Sequence, residues 1–136
     1  MKKFFLMLAV LFIALCLFVS CDDDSSDKEV VSTWKRTDEN ENERWIETYE
    51  LVLYKDGTFT FVDDYKGWTD DKNVFTSGYI TEWKGTYTFK SDIEGTFSGA
   101  DTDMKETIAG SFVIDGDSIT MTLDGDEDHG FTLTKV

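Results

Sequence analysis

Residues 50–62 have the sequence ELVLYKDGTFTFV, and this stretch decides the predicted fold. Two runs of alternating polar and apolar residues flank Lys55-Asp56-Gly57, where glycine supplies the positive φ that a tight hairpin turn needs. Leucine and phenylalanine fall on one face of the two runs, whereas threonine falls on the other. The stretch therefore predicts a β-hairpin with one buried face.

The same alternation recurs on both sides of this hairpin and predicts an all-β domain. Nothing in the chain after residue 20 resembles an amphipathic helix, and residues 63–72 predict a long polar loop. Eight or nine short strands with tight turns favour an antiparallel meander that closes into a barrel, because closure removes exposed edges; an open sandwich is the alternative. The predicted strands are 30–36, 45–54, 58–62, 73–80, 82–90, 95–98, 105–114, 118–123 and 131–136.

The N-terminus predicts a cleaved signal peptide over residues 1–20. Two lysines precede an apolar run over residues 4–19, which is shorter than the roughly 20 residues of a spanning helix. Residues 17–21, LFVSC, resemble the lipobox of bacterial lipoproteins. This resemblance implies that Cys21 is lipidated and becomes the mature N-terminus. Residues 21–29 are then an acidic tether that joins the lipid to a domain at 30–136.

The net charge limits the classes of molecule that the chain can bind, and the cysteine content limits its disulfides. The chain carries a net charge of −15, and without Lys2 and Lys3 the 11 remaining basic residues face 28 acidic ones, which gives −17. A field of this sign disfavours nucleic acid and anionic lipid, so we expect membrane contact through acyl chains alone. Cys16 leaves with the signal peptide and Cys21 carries lipid, so we expect no disulfide in the mature domain.

Residues 30–136 resemble the lipocalin-like lipoproteins of bacteria. The matching features are Thr33-Trp34 in the first strand, the hairpin at 55–59, the Gly110-Ser111-Phe112 strand, and the final strands at 118–122 and 131–135. The resemblance implies a small barrel with a possible central cavity. It also implies that Trp34 packs against a basic residue of the last strand, which by position is Lys135. A cation–π contact would be the physical basis of this packing. The alternative is that Trp34 is an ordinary core residue.

No residue pattern predicts catalysis, and we expect that the protein is not an enzyme. His129 is the one histidine and lies in a polar turn, and no Gly-x-Ser-x-Gly elbow, phosphate loop or dinucleotide fingerprint is present. Asp124, Asp126 and Asp128 alternate like the first ligands of a Ca²⁺ loop, but the glycine and the final glutamate of such a loop are missing. We therefore predict no cofactor and no metal site, with a weak cation site at these turns as the alternative.

Aromatic residues at inward positions form the candidate ligand site. Such side chains could line an apolar pocket or fill the barrel completely, and both possibilities stay open at this stage. Glu47 and Arg44 are candidates for a polar mouth, and Tyr65 and Trp68 for either a contact surface or a lid on the core. The candidate ligand-binding residues are Trp45, Tyr49, Phe59, Phe61, Trp83, Tyr87, Phe89 and Phe112.

Together these features predict a lipid-anchored protein of the bacterial cell envelope that binds a small apolar or amphipathic molecule. The alternative is a structural or interaction protein of the envelope, with a filled core and no ligand.

Overall fold

The computed structural model describes residues 28–136, which form a closed barrel of eight antiparallel strands. Each strand pairs with the next one along the chain, and β8 pairs with β1 to complete the barrel. The predicted signal peptide, Cys21 and most of the acidic tether lie outside the described residues. The strands are β1 Val30–Asn40, β2 Trp45–Tyr54, β3 Thr58–Trp68, β4 Phe75–Phe89, β5 Glu94–Asp101, β6 Thr107–Asp115, β7 Ser118–Leu123 and β8 Phe131–Lys135.

The barrel has two ends with different connections. The short hairpin turns after β2, β4 and β6 meet at one end, which we call the closed end. The loops after β1, β3, β5 and β7 meet at the other, which we call the open end. Residues 28 and 29 lie at the closed end and contact the turn between β2 and β3. Lys28 Nζ lies 3.4 Å from Asp56 Oδ2, and Glu29 Oε2 lies 2.9 Å from Lys55 Nζ.

The predicted hairpin is confirmed, and its alternation sets the core. Leu53 is opposite Phe59 and Leu51 is opposite Phe61, so all four side chains point inward between β2 and β3. Gly57 has a φ of +83°, the left-handed conformation for which glycine is favoured. The buried core consists of Trp34, Leu51, Leu53, Phe59, Phe97, Phe112, Ile119 and Leu133.

The two halves of the barrel differ in height. Strands β1–β4, which we call the tall wall, have 11, 10, 11 and 15 residues. Strands β5–β8, the short wall, have 8, 9, 6 and 5 residues. The tall wall therefore rises above the short wall at the open end, and part of its inner face has no strand opposite.

The structure corrects three predicted boundaries in the tall wall. Strand β1 continues to Asn40, and β3 continues through Trp68 where a polar loop was predicted from residue 63. The two predicted strands at 73–80 and 82–90 are one strand, β4, so the barrel has eight strands and not nine. Some of the charges that suggested a loop pair along the same face of β3, as in the 2.8 Å contact between Lys66 Nζ and Asp64 Oδ2.

Within residues 28–136, no helix has the length and apolar character needed to cross a membrane.

Candidate functional site

The open end of the barrel contains a cavity of about 360 Å³. It lies between the tall wall and the short wall, above the layer of buried side chains, and its walls are mostly aromatic and aliphatic. Asp126 and His129, from the loop between β7 and β8, lie at its rim. The lining residues are Tyr49, Phe61, Trp83, Phe97, Ile108, Met121, Leu123, Asp126, His129 and Phe131.

Inside the barrel, large side chains fill the closed end. Phe59, Ile119 and Leu133 are each at most 2% exposed there. Phe59 meets Phe97 edge to face with ring centroids 5.9 Å apart. Gly110 allows Phe97 to lie flat against β6, since a Cβ at this position would come within 2.7 Å of the Phe97 ring.

Five of the eight sequence-predicted ligand residues lie either along the cavity or in the core below it. Tyr49, Phe61 and Trp83 line the cavity. Phe59 and Phe112 are buried in the core below it. The structure brings only the first three together around open space.

The remaining three predicted residues lie away from the cavity walls. Tyr87 is at the closed end, where its hydroxyl donates a 2.6 Å hydrogen bond to the Tyr54 carbonyl. Phe89 is 41% exposed and lies edge-on to Phe112. Trp45 lies above the cavity on the inner face of the tall wall, 6.2 Å from the Tyr65 ring.

Sequence reasoning did not assign the short-wall side of the cavity. Phe97, Ile108 and Met121 occupy inward positions in the predicted strands, and Phe131 begins the last strand. Ile108, Met121 and Phe131 lie near open-end loops, and this nearness is the sequence signal that would have singled them out, whereas Phe97 lies in the middle of β5.

The rim carries an aspartate–histidine pair. His129 Nδ1 lies 2.7 Å from Asp126 Oδ1, and the His129 backbone amide donates to the Asp126 carbonyl at 3.2 Å. Both side chains are mostly exposed. The pair therefore adds a polar, hydrogen-bonding edge to an apolar cavity.

A carboxyl pair lies on the inner face of the tall wall next to Tyr49. Asp63 is opposite Tyr49 in the ladder, and Glu47 is one inward position further toward the open end. Tyr79 donates a 2.9 Å hydrogen bond to Glu47 Oε1. Burial and the neighbouring Glu47 carboxylate raise the pKa of Asp63 to about 7, because a second charge is disfavoured there.

The carboxyl pair also affects the nearby tyrosines. Burial, together with the Glu47 carboxylate, raises the pKa of Tyr79 to about 12 and raises the pKa of Tyr49 as well. Both hydroxyls therefore remain protonated donors at neutral pH. Asp63 Oδ1 is shielded from solvent and has no hydrogen-bond partner among the described residues.

Arg36 lies on the same inner face but its charge is already neutralised. Its Nη2 lies 2.8 Å from Asp38 Oδ2, and its guanidinium carbon lies 5.0 Å from the centroid of the Phe131 ring. Hydrogen bonding to Asp38 raises the pKa of Arg36. Arg36 therefore packs on Phe131, a cavity residue, while Asp38 satisfies its charge.

The contact expected between Trp34 and Lys135 is confirmed. The two residues are partners in the ladder that closes the barrel, and Lys135 Nζ lies 5.9 Å from the Trp34 ring centroid. Trp34 is also 2% exposed, so it is a core residue as well as a cation–π partner.

The two loop aromatics have different environments. Trp68 is nearly buried, with Lys72 Nζ 5.9 Å from its ring, so it packs beneath the loop as a lid residue would. Tyr65 stacks on Tyr79 with ring centroids 5.2 Å apart and an interplanar angle of 12°. Arg44 lies in the first open-end turn, 3.8 Å from Asp70.

In the part of the chain that the structure describes, no three histidine, cysteine or acidic side chains converge in a way that could hold a metal ion. That part includes the turn with Asp124, Asp126 and Asp128.

The geometry defines a class of protein: a small closed β-barrel with a packed lower half and an apolar cavity at its open end. No protein-family model matches the chain, and neither the curated proteins nor the solved structures yielded a match.

Proposed function

We propose that this protein is a binding module whose barrel holds a small apolar or amphipathic molecule at its open end. The observation that carries this proposal is the 360 Å³ cavity with its aromatic and aliphatic walls. Protein pockets for small molecules generally measure about 300–1,000 Å³ and are mostly apolar with a few polar groups. The cavity, with Asp126 and His129 at its rim, fits the small end of that range.

The barrel architecture supports the same proposal. Eight strands leave an interior that side chains either fill or leave open for one small ligand. Here the side chains fill the closed end, whereas the open end keeps space. This division agrees with the lipocalin-like family that the sequence resembles, and the proposal extends that resemblance to ligand binding.

We also propose that the domain is anchored to a membrane of the bacterial envelope by acyl chains on Cys21. The LFVSC sequence at 17–21 supports this, as does the acidic tether that follows it. The described chain begins at the closed end, next to Asp56 and Lys55. With this arrangement the cavity mouth would face away from the anchor.

We propose no catalytic role, since the rim pair of Asp126 and His129 is solvent-exposed and no sequence motif supplies a nucleophile to it. The competing proposal is a structural or interaction protein of the envelope. The filled closed end favours it, because a barrel of this kind is stable without a ligand.

A fluorescence titration separates ligand binding from the competing proposal. N-Phenylnaphthylamine is neutral and apolar, and its emission rises when it leaves water. We expect a saturable increase with one site per chain, and displacement of the dye by decanol. Absence of saturable binding would overturn the carrier proposal and leave the interaction protein.

A matched pair of variants locates the binding site. Ile108→Trp places a bulky ring in the cavity, whereas Ile93→Trp places the same ring on the exposed closed-end turn. We expect Ile108→Trp to abolish dye binding and Ile93→Trp to keep it. Equal binding by both variants would show that the dye binds elsewhere.

The anchor is tested by replacing Cys21 in the full-length chain. We expect Cys21→Ala to appear in the soluble fraction of a bacterial host and the unmodified chain in the membrane fraction. Ser20→Ala is the control, because alanine is also a small residue before the cysteine. Membrane retention of Cys21→Ala would contradict lipid anchoring.

A further inference from the structure

Above the cavity, the inner face of the tall wall carries a row of aromatic rings. Tyr65 lies between the other two rings, 6.2 Å from the Trp45 centroid and 5.2 Å from the Tyr79 centroid. Because β5–β8 are shorter, no strand of the short wall faces this row. Tyr79 is 51% exposed, so part of the row is open to a bound molecule.

The carboxyl pair adjoins these rings: Glu47 lies level with Tyr65 and Tyr79, and Asp63 lies one inward position nearer the cavity. Glu47 is the ladder partner of Tyr65, and Asp63 is the ladder partner of Tyr49, which lines the cavity. A molecule that extends out of the cavity along the tall wall therefore meets Asp63 first, and then Glu47 together with the aromatic rings. One Asp63 oxygen is shielded from water and has no hydrogen-bond partner among residues 28–136.

The charges on the inward strand positions at this end are mainly negative. Asp38, Glu47 and Asp63 occupy such positions on β1–β3, and Asp126 adds a carboxylate at the rim. Arg36 is a cationic side chain at an inward position of β1, and its Nη2 lies 2.8 Å from Asp38 Oδ2. A ligand with a carboxylate head would meet like charge without a free partner, whereas a cationic head would find both carboxylates and π faces.

We propose that the ligand has a cationic head, an amine or a quaternary ammonium, joined to an apolar body. The body occupies the cavity, and the head lies against Trp45, Tyr65 and Tyr79 with Glu47 and Asp63 as counter-charges. Aromatic rings and carboxylates together are a recurrent environment for such cations. This inference rests on the proposed binding function and adds the chemical class of the ligand.

Three probes with one tail and different heads test the inference. Isothermal titration calorimetry with decyltrimethylammonium, decanol and decanoate is carried out below the concentrations at which they form micelles. We expect decyltrimethylammonium to bind roughly tenfold more tightly than decanol, and decanoate to bind most weakly. If no probe binds, the proposed function fails and the inference with it. If all three bind equally, the cavity function stands and the cationic head is overturned.

The strongly acidic chain would attract any cation weakly, so a charge-matched control is required. Glu47→Gln/Asp63→Asn removes the two carboxyl groups beside the aromatic row. Glu94→Gln/Asp92→Asn removes two exposed carboxylates at the closed end, with the same change in net charge. We expect the first pair to bind decyltrimethylammonium no more tightly than decanol, and the second pair to keep the roughly tenfold preference for the cation.

Equal loss of the preference in both double variants would overturn the inference in favour of attraction by the overall charge. If both double variants keep the preference for the cation, the inference is overturned, because the cationic head of the ligand must then lie elsewhere. Decanol binding reports in every case that the barrel is folded and its cavity accessible.

Discussion

The closed and open ends of the barrel share the same strands but differ in what those strands do. At the closed end, side chains from opposite walls meet, and Ile119, Leu133 and Phe59 have almost no contact with solvent. At the open end the walls differ in height, so Tyr49, Phe61 and Trp83 line a cavity and carboxyl groups lie above them. Unequal strand lengths therefore divide one barrel into a filled half and a half that contains open space.

The largest expected effect is on stability at the closed end. Phe59→Ala should lower the free energy of unfolding by about 3–5 kcal/mol, because it leaves a cavity in a filled core. Phe61→Ala, two residues along the same strand and the same face, should cost about 2 kcal/mol, since Phe61 is half-buried beside existing space. Urea denaturation measures both. Equal costs for the two variants would contradict the division into two ends.

The next effect concerns the carboxyl pair at the open end. The pKa of Asp63 is about 7 in the folded protein against 3.8 for an ordinary aspartate, so the folded state holds the proton more tightly. Protonated Asp63 therefore contributes to the free energy of unfolding. This contribution is fully present below about pH 4 and is lost as the pH rises through about 7. Asp63→Asn should therefore flatten the pH dependence of stability over this window.

The size of that effect is limited by partial exposure. The free energy of unfolding of Asp63→Asn should rise relative to that of the unmodified protein as the pH goes from about 4 to about 8. After discounting for solvent screening, we expect this rise to be about 1–2 kcal/mol. The charged and titratable groups on the inner face around Asp63 are Glu47 and Tyr49 on β2, Arg36 and Asp38 on β1, Tyr65 on β3, and Tyr79 on β4; its sequence neighbour Asp64 lies on the opposite face. Asp92→Asn, at the closed end, is the control. The same flattening in Asp92→Asn would exclude Asp63 as its source.

The smallest effect concerns the strand pair that closes the barrel. Lys135→Gln removes the charge above the Trp34 ring and should cost about 0.5–1 kcal/mol at low salt. Lys90→Gln, on the β4–β5 hairpin at the same end, changes the net charge equally without a cation–π partner in the described structure. Thermal unfolding of the two variants at low ionic strength gives the comparison. A loss as large in Lys90→Gln would show that only net charge matters.

The sequence predicted the closed end better than the open end, for physical reasons. Alternation around Gly57 identifies Leu53 and Phe59 as inward residues next to a turn, and such residues are buried whichever strand lies opposite. The family resemblance paired Trp34 with Lys135, and a core role for Trp34 was the alternative; the structure shows both. These predictions need only local pattern and chain order.

The open end depends on how far each strand continues, which local pattern does not fix. Asp63 and Asp64 suggested a loop, but β3 continues through them: Asp63 lies beside Glu47 on the inner face with a raised pKa, and Asp64 contacts Lys66 on the other face. For the same reason the sequence could not show that Phe61 borders space while Phe59 does not. Their difference arises from the height of the short wall opposite, a property of the assembled barrel.

The most direct test of the central claim uses the methionines as reporters. Residues 21–136 contain Met121, which lines the cavity, and Met104, which is 67% exposed in the loop between β5 and β6. With carbon-13 in the methionine methyl groups, decanol should shift the Met121 signal progressively to saturation and leave the Met104 signal unchanged. An unchanged Met121 signal in the presence of saturating decanol would contradict an accessible cavity at the open end.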